Sequence, residues 1–225
     1  MSTENPVNPL PPVVVILTLM IFAVEAVLSL GAQGIVGGPS AVGWRLAAMS
    51  DWGYSPLVWE QLALRGDWSF DIVKRFVTYA FVHVTFTHAL FAGALFLALG
   101  KFVGDVFHWL AVLAVFVMAA VAGAVVFGLS IDTNLALIGA YPPVYGMIGA
   151  FTYIMWMRLG AAGQNQLGAF RLIGFLLALQ LVFGLLFGAD PTWVADLSGF
   201  VAGLALSPLV APGGWRAFLA RVRQR

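Results

Sequence analysis

Four ionisable side chains interrupt stretches that are otherwise hydrocarbon: Glu25, His83, His88 and Asp196. Such groups are costly inside a bilayer, so each is first a candidate for chemistry. Asp190 and His108 stand nearer the ends of their apolar stretches, where water reaches them. Glu25 is alone in the first apolar run and reads as a protonated acid or one hydrogen-bonded to a neighbouring helix. His83 and His88 are five residues apart, which on a helix turns them about 140° from one another. They share a face poorly and no third ligand accompanies them, so no metal site is expected. The expectation is two hydrogen-bonded histidines lining a polar cavity. The chain has no cysteine, which removes thiol nucleophiles, disulfides and cysteine-ligated metals. No cofactor is expected.

The stretch GAYPPVYGMIGA, Gly139 to Ala150, carries a tyrosine and two prolines into an apolar run. Proline fixes φ and has no N–H, both tolerated in the first turn of a helix. Tyr141 precedes a proline and is pushed toward extended backbone. The prolines therefore start a helix, and the chain before them, SIDTNLALIGA, is expected to be non-helical at least in part. Extended backbone at membrane depth is tolerated only inside protein or against a wet cavity. Tyr141 is thus expected at the floor of a cavity, at a helix N-terminus. A phenol with a pKa of about 10 is a poor acyl-transfer nucleophile, and aspartate is a weak base for one. Tyr141 and Asp196 are better suited to a structural hydrogen bond. Asp196 could instead be protonated or paired with a histidine. Ser198 lies about 200° round the helix from Asp196.

The elements that must position these groups are membrane helices. The chain has 225 residues, 61% hydrophobic and 9% charged, with a mean hydropathy of +0.95. A soluble domain carries about 25% charged residues, so this chain cannot coat a water-soluble globule. A net charge of +1 gives no pull toward nucleic acid. Spans of about 20 apolar residues are expected at about 12–31, 76–99, 106–129, 141–157, 170–187 and 193–210. Residues 1–11 read as a flexible lead-in, 12–210 as one membrane domain and 211–225 as a basic tail. Loop 1, from Gln33 to about Lys74, holds Trp44, Trp52, Trp59 and Trp68 with four cations and four acids. It reads as an interfacial structure. Lys101, Arg158, Arg171, Arg216, Arg221, Arg223 and Arg225 fall on one side, against four cations in loop 1. Both termini are therefore expected to be cytoplasmic. Gly199 and Gly203 form G-x-x-x-G in the sixth span, and Gly139, Gly146 and Gly149 line the start of the fourth. Small residues let membrane helices approach closely, so spans four and six are expected to touch. General bundle packing is the plainer alternative.

This frame resembles the rhomboid family of intramembrane serine proteases, from roughly Lys74 to Pro208. Loop 1 of that family holds a Trp-Arg pair; here Lys74 stands for the Trp and Arg75 is in register. The family's second span reads H-x-x-x-x-H-x-x-x-N and then a glycine. His83, His88 and Gly100 match, and Ala92 stands at the asparagine. The nucleophile motif G-x-S-G opens the fourth span. Gly139, Tyr145 and Gly149 fit, but Tyr141-Pro142 replaces Ser-Gly. The sixth-span motif A-H-x-x-G-x-x-x-G is matched by Ala195, Gly199 and Gly203, with Asp196 at the histidine. The family's reaction needs a serine oxygen, a histidine base and oxyanion donors. The resemblance implies an all-α, six-span bundle with an interfacial loop 1 and a degenerate catalytic set, of which only His88 remains.

The expected function is that of a proteolytically inactive, rhomboid-like protein that binds other transmembrane helices as an adaptor, chaperone or assembly factor. One alternative is a fixed structural subunit of a larger membrane complex. A second is an active protease using other residues, such as His88 with Thr85 or Thr87. The resemblance implies helix binding beside spans two and five, where Leu95, Phe175 and Phe183 form the candidate face. Expected partners are membrane lipid and another membrane protein or complex, with no nucleic acid. The expected location is a bacterial inner (plasma) membrane.

Overall fold

The computed structural model describes residues 9–131, 135–188 and 190–214. Most of the expected lead-in, the Asp132 to Asn134 part of the SIDTN turn, and the cations Arg216, Arg221, Arg223 and Arg225 lie outside the described residues. The fold is nearly all-helical. In chain order the helices are α1 (Pro12–Ala32), α2 (Trp44–Trp52), α3 (Pro56–Ala63), α4 (Phe70–Val73), α5 (Arg75–Thr78), α6 (Phe86–Gly104), α7 (Trp109–Ser130), α8 (Tyr141–Ala161), α9 (Arg171–Phe187) and α10 (Trp193–Val210).

Five helical segments among the described residues are long and apolar enough to cross a membrane: Pro12–Ala32, Phe86–Gly104, Trp109–Ser130, Gln166–Leu186 and Trp193–Val210. The six expected spans also included α8. That helix has 21 residues, but Tyr141, Pro142, Pro143 and several glycines dilute its hydrocarbon. It is buried continuously from Pro142 to Ala150, between α6, α7 and α10. A helix sheathed by protein does not have to be uniformly apolar.

Span two does not begin at Phe76. A short helix and a 3₁₀ turn (Tyr79–Phe81) come first, and Val82 is extended. Thr85 then caps α6, its Oγ1 accepting from the His88 N–H at 3.1 Å. Threonine satisfies an otherwise orphaned helix N–H here, so the break falls between the two histidines. They are therefore not two positions on one helix.

Spans four and six meet as the small residues suggested. A Cβ on Gly199 would collide with the Pro142 carbonyl, one on Gly203 with the Gly146 carbonyl, and one on Gly149 with the Phe200 carbonyl. On the opposite side α1 packs along α6, where Gly93 accepts the Phe22 ring and Gly100 the Val14 side chain.

Loop 1 is a structured unit. Arg75 donates to the backbone carbonyls of Ser50, Asp71 and Gly53. Lys74 lies 4.3 Å from the centre of the Trp52 ring. Its ammonium reaches Asp71 at 2.6 Å and holds that carboxyl below the usual carboxylate range. Tyr54 and Leu137 exchange two backbone hydrogen bonds, which ties loop 1 to the chain before α8. Glu25 is neither alone nor dependent on its own proton. Arg45 of α2 donates to both its carboxylate oxygens, at 2.7 and 3.0 Å, and Ser29 adds a bond at 2.6 Å. Arg45 also donates to the His83 carbonyl at 2.6 Å.

Candidate functional site

The groups singled out in the sequence converge where α6, α8 and α10 begin. Gly139 turns the chain into α8 at φ +103°, a conformation that favours glycine. A Cβ there would also stand 2.7 Å from His88 Cε1. The turn is held from two sides: the Gly139 N–H donates to the Tyr79 carbonyl at 2.9 Å, and the Ala140 N–H to His83 Nε2 at 3.2 Å. Buried polar groups need such partners, which accounts for a fully buried His83. Tyr141 is already the first helical residue, so its expected extended conformation is corrected. The irregular backbone is the turn ahead of it.

The two histidine rings stand 5.1 Å apart, edge to face. The Tyr141 ring stacks on His88 at 5.1 Å with 20° between planes. Tyr141 therefore makes a flat contact with His88. No Tyr141–Asp196 hydrogen bond forms. Asp196, 6% exposed, accepts from Gln180 Nε2 of α9 at 3.3 Å. Ala92 is buried in an apolar contact with Ile21, Ala89 and Ala140. The nearby hydroxyls are engaged with backbone: Ser198 donates to the Val194 carbonyl at 2.6 Å, and Thr85 is the cap of α6. Thr87 faces outward.

These residues open onto a cavity of about 750 Å³, with His88, Tyr141, Tyr145 and Asp196 on the bundle side and Gln180 and Phe183 on α9. Asp190 and Thr192 stand at its rim. The cavity exists because α9 stands off. Of its described side chains only Ile173 is buried, and the helix rests mainly on the 3₁₀ turn that precedes it. Three polar atoms at this site are buried without a hydrogen-bond partner among the described residues, His83 Nδ1, His88 Nδ1 and Gln180 Oε1. Phe183 of the candidate helix-binding face lines the cavity, whereas Leu95 and Phe175 do not. Leu95 and Phe175 are 40% and 65% exposed.

Two residues that hold the site's buried acids carry weak signals in the sequence. Gln180 is a lone amide in an apolar run, and that isolation was its available signal. Arg45 is one of four loop 1 cations, and its signal is the acid in the first span, which needs a cationic partner when buried.

The rhomboid domain family model matches residues 71–213. No curated protein matches the chain. The match spans the candidate site from Arg75 to Gly203.

Proposed function

This chain belongs to the rhomboid family, and from that premise we propose that it is a non-proteolytic member that binds other transmembrane helices as an adaptor, chaperone or assembly factor. The observation that carries the reading is the open flank beside α9. The helix is lightly packed and mostly exposed, with a cavity of about 750 Å³ between it and the bundle. A neighbouring helix could insert there without disrupting the α8–α10 core. The loss of cleavage rests on Tyr141, Asp196 and Ala92 at the family's nucleophile, base and donor positions. The Ser198 hydroxyl is engaged with the Val194 carbonyl, and Thr85 Oγ1 accepts the His88 N–H at the start of α6. In this reading α8 is the fourth of six spans, loop 1 lies in the headgroup zone, both termini are cytoplasmic, and the protein resides in a bacterial plasma membrane. Leu64, Trp68 and Phe70, each more than 70% exposed, suit that placement of loop 1.

Three experiments test it. A fluorophosphonate probe should label neither the wild type nor Tyr141→Ser, because the latter still has Pro142 and lacks a base. Labelling of the wild type would overturn the non-proteolytic reading. Photo-crosslinkers at Phe175, Phe183 and Leu95 should give discrete protein adducts. Lipid adducts alone at all three, with protein adducts from α1 or loop 1, would move the interface elsewhere. Mild-detergent purification should bring down a changing set of membrane proteins; one stoichiometric partner would identify a fixed subunit instead.

A further inference from the structure

We propose that the cavity beside α9 selects transmembrane helices carrying a lysine or arginine within about two turns of the loop 1 end. This rests on the helix-binding reading and names the class of client. The bundle side of the cavity presents the buried carboxyl group of Asp196, and the α9 side presents Gln180. Gln180 spends its amide N–H on Asp196, and its carbonyl oxygen is left buried without a partner. The unmet need at Gln180 is for a donor. Asp190 at the rim adds a second acid, while among the described residues no Lys or Arg lines the cavity. A cation would satisfy the Gln180 oxygen and the Asp196 carboxylate together, through charge-assisted hydrogen bonds. The rest of the α9 wall is leucine and phenylalanine, including Leu176, Leu179 and Phe183. The matching occupant is therefore mostly apolar with one long cationic side chain, whose stem can lie along hydrocarbon. Depth follows from Asp196 in the first turn of α10 and Tyr141 at the start of α8.

The test uses the full chain in nanodiscs of phosphatidylcholine and phosphatidylglycerol, which contain no ammonium-bearing headgroup with free N–H donors. Labelled Leu/Ala transmembrane peptides differ at one position, two turns from the end, as Lys, norleucine or Glu. Binding is read by energy transfer as a mole-fraction affinity. The Lys peptide should bind about tenfold more tightly than the norleucine peptide, and the Glu peptide no better than norleucine. Asp196→Asn and Gln180→Leu should each bring the Lys-to-norleucine ratio near one. Gln180 lies on the lightly packed helix, so its variant carries the test if Asp196→Asn does not fold. Equal binding of Lys and norleucine peptides would overturn this inference and leave the helix-binding reading standing. So would a Lys preference that survives both variants. Loss of the preference on adding phosphatidylethanolamine would assign the site to a lipid amine. Failure of every peptide to bind would overturn the helix-binding reading as well.

Discussion

Asp196 and Tyr141 show how one residue's identity leaves its partner undetermined. A buried aspartate in an apolar helix must find a donor, and Tyr141 is a nearby candidate in the family's frame. The structure supplies Gln180 instead, on a different helix, and turns the Tyr141 ring flat onto His88. Hydrogen bonds between membrane helices are worth about 0.6 kcal/mol on average and up to about 1.7 kcal/mol. A double-mutant cycle between Gln180→Leu and Asp196→Asn should show coupling in that range. The cycle between Tyr141→Phe and Asp196→Asn should be additive. Reversed outcomes in reversible unfolding would restore the Tyr141–Asp196 pairing. The need for a partner was legible in the sequence. Its identity was not, because an aspartate binds any donor that the helix packing brings within about 3 Å.

At the level of elements, glycines divide by what faces them. Gly199 abuts the Pro142 backbone, whereas Gly174 on α9 has nothing within 4 Å of where a Cβ would stand. Gly199→Leu should therefore cost about 3 kcal/mol or abolish folding, since the obstructing atoms are backbone. Gly174→Leu should leave the unfolding midpoint nearly unchanged. Equal sensitivity would mean that α9 packs more tightly than its exposure implies. The Arg45–Glu25 pair joins α1, α2 and the segment before α6 in one network. Arg45→Met should cost about 3 kcal/mol by stranding a buried carboxylate. Adding Glu25→Leu should recover most of that loss. An unaltered single variant in thermal unfolding would show that Glu25 does not depend on Arg45. Helix starts at Tyr141 and Trp193 were legible from proline and periodicity. The break at Val82–Thr85 was not, because an apolar run has the same hydropathy whether helical or extended.

For the whole molecule, orientation is a matter of charge placement. Seven cations on one side against four in loop 1 favour cytoplasmic termini. Cysteines at Ser2 and Gln224 should resist an impermeant thiol reagent in intact cells, while one at Trp68 in loop 1 should react. Labelling at either terminus would overturn the topology. The loop 1 cations are partly spent on internal bonds, with Arg45 on Glu25, Lys74 on Asp71 and Arg75 on backbone carbonyls.

By itself the sequence determined the class of solvent, most helix bounds and the α8–α10 contact. Each follows from local chemistry: hydrocarbon content, proline at a helix start, and glycine where backbones touch. Only the tertiary structure decided that His83 and His88 stand against one another across a break. The same holds for Arg45 reaching Glu25 from loop 1, Gln180 serving Asp196, and α9 leaving a cavity open. These pairings join residues distant in the chain, and their geometry depends on how helices are set side by side. Lipid gives an apolar helix face no strong reason to choose a neighbour, so hydropathy alone could not have placed α9.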